Sequence, residues 1–206
     1  MNKEYNFTLK YKLPVDETAN DELAERLYAN NCDDALIGIG MPKRIALEFI
    51  REASSAEAAI YSAHQDVMNT LPDAELIEAL PDYVGMTDIA SIVNVSRQQI
   101  RKLYNQNLYH FPSPVHEGKN TLWHLAPVLE WIAANTKYVF DDTLIEVAKQ
   151  TAQLNRARSG QKNEFKRAMS YHRVLQASLA NTYSPLVTLF DNSVDANNHS
   201  QLAEAV

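Results

Sequence analysis

The sequence predicts an α+β fold in three parts, on three observations. Apolar and polar residues alternate over 5–13 and 44–51, apolar residues recur at helical spacing over 143–158 and 163–181, and 85–103 holds two short helical periods around an asparagine turn. With 206 residues, 46% of them hydrophobic, the chain can bury a substantial core. It has no apolar run of the ~18 residues that a membrane span needs, and the opening MNKEYNFTLK lacks the apolar centre of a signal peptide. A cytoplasmic protein without membrane contact is expected. The single cysteine, Cys32, allows no internal disulfide and reads as a small buried hydrophobe.

In order along the chain, 5–13 (YNFTLKYKL) is a half-buried strand closed by Pro14. Residues 18–31 carry Leu23, Ala24, Leu27 and Tyr28 at helical spacing, with Asp21, Glu22, Glu25 and Arg26 outward. A short apolar strand at 35–39 runs into Gly38 and Gly40, where a sharp bend is expected. Gly38-Ile39-Gly40 has neither the third glycine nor the following helix of a nucleotide loop. The next strand, 44–51, sets Ile45, Leu47 and Phe49 on one side. Ser55 caps a helix over 56–71, with His64 half-buried on it, and 75–79 forms the last strand. The order strand, helix, strand, strand, helix, strand is that of a split β-α-β, ferredoxin-like sandwich over 1–82. Such a sheet offers an edge and a face to a protein partner, an effector pocket being the alternative. Asp33, Asp34, Glu48 and Glu52 lack ligand-spaced histidines, so neither metal nor cofactor is expected.

In GMTDIASIVNVSRQQIRKL (85–103), Thr87 is read as an N-cap, and Ile89, Ala90 and Val93 line one helical face. Asn94 suits a left-handed turn residue, and Val95 returns to the core. Ser96 caps a second helix whose Ile100 and Leu103 face inward while Arg97, Gln98, Arg101 and Lys102 remain outside. Arginine and the side-chain amides match guanine and adenine edges, and Lys and Arg also hold phosphates. The pair therefore reads as a helix-turn-helix; a helical hairpin with a solvated polar face is the plainer alternative. After it, FPSPVH (111–116), a turn at 117–120 and TLWH (121–124) read as two short strands, a wing whose two prolines confine the first to an edge. LAPVLEWI (125–132) then opens a helix that buries Val128, Leu129, Trp131 and Ile132.

The order helix-turn-helix, FPSPV, glycine turn and TLWHLAPVLEWI resembles the AlpA-like and excisionase-like branch of the MerR-type winged helix-turn-helix proteins. The resemblance covers 84–134, and a looser similarity to bacterial helix-turn-helix DNA-binding regulators spans 5–132. Both imply double-stranded DNA as partner. Residues expected to meet it are Arg97, Gln98 and Arg101 at base edges, Ser96, Lys102 and Asn105 at phosphates, Thr87 on the first helix, and His116, Lys119 and Asn120 on the wing.

The formal charge of −7 is unevenly placed. Residues 1–84 hold seven Lys and Arg against sixteen Asp and Glu, 85–135 four against three, and 136–206 eight against seven. The acidity belongs to the first part, and local potential governs phosphate contact. His110, His116 and His124 sit in or beside the wing and read as phosphate-facing or surface residues rather than metal ligands. Beyond 83–135, the helical repeats of 143–158 and 163–181, broken at Ser159-Gly160, suggest a self-association segment over 136–190 that pairs two readers as a homodimer. The stretch 156–173 is the most basic in the chain and could flank DNA, dock on the acidic part, or face solvent; 191–206 reads as a disordered tail. The function expected is a sequence-specific, non-enzymatic transcriptional regulator. An excisionase-like bending factor and an antitoxin-like adaptor are the alternatives.

Overall fold

The computed structural model describes residues 2–160, an α+β arrangement around a small antiparallel sheet. The alternation at the N-terminus becomes β1 (Lys3–Lys12), which buries Tyr5, Phe7, Leu9 and Tyr11 on one side. Helix α1 (Asp21–Tyr28) follows, then β2 (Ala35–Met41), β3 (Arg44–Ala53), α2 (Ala56–Thr70) and β4 (Glu75–Leu80). The strands lie in the order β2-β3-β1-β4, and each neighbouring pair is antiparallel. Phe7 sits opposite Phe49 and Leu9 opposite Leu47, so the inward sets of β1 and β3 share a face. There they meet Leu23 and Leu27 of α1 and Ala59, Ala63 and Val67 of α2.

Two expectations for this half change. The first helix is shorter than 18–31: the Asn20 side chain accepts from the Leu23 N–H at 3.0 Å to start it. It ends where Asn31 takes a left-handed φ of 63° and the Cys32 N–H turns back to the Leu27 carbonyl. Tyr28, expected inward, is exposed. The bend at Gly38 and Gly40 is also displaced, since β2 continues to Met41 and the chain reverses at Pro42 and Lys43. Lys43 adopts φ 60°, and its ammonium is held by the Val15 and Glu17 carbonyls at 2.7 and 2.6 Å, which fixes the turn without a left-handed glycine.

The second half contains β5 (Tyr83–Val84), α3 (Met86–Ile92), α4 (Arg97–Gln106), β6 (Trp123–His124) and α5 (Leu125–Asn135). Its own core gathers Ile89, Ile100, Trp123, Leu129 and Ile132. Helix α6 (Asp142–Gly160) joins the two cores, since Val147 packs into the first and Ala148 into the second. It lies against β1, β4, α2 and α5. Its helical repeat was expected to serve self-association; within 142–158 the buried positions Val147, Ala148, Thr151, Ala152 and Asn155 are covered by the chain itself. Polar contacts fix the joint. The Asn155 amide donates to the Ala79 carbonyl and to Asp82 Oδ2 and accepts from the Ala79 N–H, each at 2.8 Å, and Thr151 Oγ1 donates to the Pro81 carbonyl at 2.6 Å. No helix among the described residues is long and apolar enough to cross a membrane. The expected helix at 163–181, most of the basic stretch 156–173 and the tail 191–206 lie outside the described residues.

Candidate nucleic-acid interface

Helix α3 begins two residues earlier than Thr87 suggested. Gly85 is the N-cap, its N–H bonded by the Asp88 carboxylate at 2.8 Å, so a side chain inside the first turn satisfies the entering backbone. Thr87 lies within the helix, exposed to solvent. The turn is as expected: Asn94 is left-handed at φ 54°, and the Val95 N–H reaches the Ala90 carbonyl at 2.8 Å. Helix α4 then opens on a reciprocal cap. Ser96 Oγ accepts from the Gln99 N–H at 3.2 Å while Gln99 Oε1 accepts from the Ser96 N–H at 2.8 Å. This turns the Gln99 side chain back on its own helix and leaves Ser96 only its O–H to donate elsewhere.

The inner face of α4 is fixed by Ile100, fully buried, with Leu103 and Tyr104 packed beside it. The outer face carries Arg97, Gln98, Arg101, Lys102 and Asn105, all exposed. Arg97, Arg101 and Asn105 recur every four residues and share one stripe, with Gln98 and Lys102 on the adjoining one. The helix contains no acidic residue, and none of its three cations lies within ion-pair distance of a carboxylate among the described residues.

The segment after α4 is anchored by aromatic side chains. Phe111 is buried against Tyr104 and Trp131, at ring distances of 5.5 and 5.0 Å, and the Trp123 indole N–H donates to the Pro112 carbonyl at 3.1 Å. The expected wing is reduced to one bridge between His116 and Leu122. Pro112 and Pro114 supply no N–H for a ladder. The return strand, β6, pairs with β5 instead, Val84 opposite Trp123. The loop beyond the bridge leaves Glu117, Lys119 and Asn120 exposed. His116 is exposed as well, its ring folded over the turn; a Cβ on Gly118 would come to 2.9 Å of its Nε2, so the glycine makes room for the imidazole. The expected residues thus fall into two groups, five on α4 with Ser96 at its head and three in the loop, while Thr87 stands apart on α3.

The three histidines of this region do not converge. His124 Nδ1 bonds Asp82 Oδ1 at 2.6 Å and its ring lies against Tyr83, while His110 and His116 are exposed. No group of metal-ligating side chains forms among the described residues.

Three arrangements were not foreseen. Arg51 is buried beside Phe49 and bonds both Asp34 oxygens at 2.7 and 2.9 Å, Asp66 at 2.7 Å, Ser62 at 3.1 Å and the Asn31 carbonyl at 2.7 Å. Asp34, weighed as a metal ligand, is therefore half of an ion pair. A signal was present, since Arg51 continues the inward series Ile45, Leu47, Phe49. His64 is buried rather than half-buried, with Nδ1 2.8 Å from the Tyr11 hydroxyl, and burial lowers its pKa to about 4. The third is the Asp82, His124 and Asn155 joint. Cys32 is buried as expected, its thiol pushed up to about 12, chiefly by burial. A shallow apolar groove of about 320 Å³ lies at the β2–β3 turn, lined by Ile39, Met41, Pro42 and Lys43 among others. No family model, curated protein or solved structure matches the chain.

Proposed function

We propose that the chain is a sequence-specific DNA-binding protein, a transcriptional regulator that inserts α4 into the major groove and sets the loop after it on the backbone or minor groove. The observation that carries this reading is the outer face of α4. Three cations and two side-chain amides, with no acid among them, stand exposed on a helix whose other face is locked into a core. On this reading 83–135 is a winged helix-turn-helix whose wing is short. The resemblance of FPSPV and TLWHLAPVLEW to AlpA-like and excisionase-like proteins supports it. The sheet order β2-β3-β1-β4 with two intervening helices supports a ferredoxin-like first domain. Because residues 1–84 are strongly acidic, only the local potential around α4 attracts phosphate, and two modules acting together make the affinity sufficient.

Arg97, Gln98 and Arg101 reach base edges, while Lys102, Asn105, Lys119 and Asn120 hold the backbone. Arg97→Ala and Arg101→Ala each weaken binding by about 1–3 kcal/mol and relax preference at one base pair, whereas Lys102→Ala weakens all duplexes alike and lowers the salt slope by about 1. Fluorescence anisotropy across a salt series measures both effects. Parent-like binding by both arginine variants would remove α4 from the interface.

A further inference from the structure

β2 is the outermost strand of the four-stranded sheet, so one side of its backbone has no strand beside it. The Ile50 N–H donates to the Asp34 carbonyl at 3.1 Å. Inward and outward groups alternate along an antiparallel pair, and Ile37 lies opposite Leu47, so the N–H and C=O of Ile37 point away from β3. Such an edge accepts another strand unless charges, prolines or a covering element guard it. The seven residues of β2, ALIGIGM, include no charge and no proline. A register shift between Gly38 and Met41 leaves the first half of the strand regular. Exposed apolar side chains gather here too: Leu36 is 70% exposed, Ile39 40% and Met41 58%, with Ile50 of β3 at 56%.

The charges at the two ends of β2 select the occupant. Asp33 precedes the strand and Arg44 follows it, both exposed; Asp34 is already paired with Arg51, and the Lys43 ammonium with the Val15 and Glu17 carbonyls. A two-fold axis through the middle of β2 lays two copies antiparallel and sets the acidic end of each beside the basic end of the other. Elsewhere the first 84 residues, with sixteen acids against seven bases, repel their like. We propose that the outer edge of β2 is a self-association surface, on which a second copy of this chain adds its own β2 antiparallel to form one continuous sheet. This places the contact that pairs two α4 helices in the first half of the chain, away from the apolar face of α6. From the DNA-binding reading it takes only the expectation that two copies act together; its test reads mass, so DNA binding by α4 stands or falls separately.

The test is sedimentation equilibrium of the full chain across a concentration series, with the folding of every variant checked by thermal unfolding. The parent chain is a dimer, and Leu36→Glu combined with Met41→Glu raises its dissociation constant by about tenfold or more, because like charges then face each other across the new pair. Val139→Glu, at a site 90% exposed elsewhere, leaves it unchanged. Asp33→Lys and Arg44→Glu each weaken the dimer, and the two together restore it. Hydrogen exchange on the parent gives a readout without substitution, as the Ile37 amide slows with rising concentration. A parent monomeric throughout, a dimer indifferent to the β2 variants, or a combined charge reversal no tighter than its singles would overturn the proposal.

Discussion

At the scale of single residues, the buried polar side chains decide most. Arg51 is ion-paired with both Asp34 and Asp66 from one buried position. Arg51→Met leaves two carboxylates without their cation and lowers stability by about 3–5 kcal/mol, which urea unfolding measures; an unchanged midpoint would mean that water already screens the pair. His64 makes a different prediction. The folded state holds its pKa near 4, against 6.5 for the free side chain, so between these values the unfolded chain binds a proton that the fold excludes. The stability contribution is therefore complete above pH 6.5 and declines as the pH falls toward 4, by on the order of 3 kcal/mol. His64→Gln keeps an acceptor for the Tyr11 hydroxyl and flattens that decline relative to the parent; parallel unfolding curves across the interval would contradict the assignment. Both residues were partly legible, since each interrupts an apolar series. Their partners were not, because Tyr11 is 53 positions from His64.

At the scale of elements, local chemistry was the legible part. The cap of α4 lies within four consecutive residues, Ser96 to Gln99, and the left-handed turn rests on Asn94, so helix, turn and outer face could all be read from the sequence. Ser96→Ala removes an acceptor from the first turn and lowers stability by about 1 kcal/mol, measurable as a shift in thermal midpoint. An unchanged midpoint would show that the Gln99 side chain alone holds the helix start. The elements misread are those whose form depends on a distant partner. TLWH carries a strand pattern, but its Trp123 and His124 pair with Val84 and Tyr83 some 40 residues earlier, and only Leu122 bridges back to His116 beyond the prolines of 111–116. Gly38 and Gly40 suggested a bend, yet pairing with β3 keeps Gly38 extended and Lys43 takes the left-handed conformation.

At the scale of the whole molecule, 2–160 joins two cores through one helix. The sequence shows α6 as amphipathic but not what covers it, since a repeat of apolar residues serves a second copy or the chain's own sheet equally well. The polar pairs at Asn155 and Thr151 settle this for 142–158, and they connect residues 70 or more positions apart, beyond the reach of any local pattern. The outer face of α4 thereby belongs to the second of the two cores that α6 joins, and its cations contrast with the largely acidic sequence of residues 1–84. The most direct test is selection of bound duplexes from a random pool by the purified chain, with its mass measured in the same buffer. An enriched inverted repeat with half-sites about one helical turn apart, bound by a dimer, is the predicted result. Binding that enriches no sequence and vanishes with salt would contradict base reading by α4.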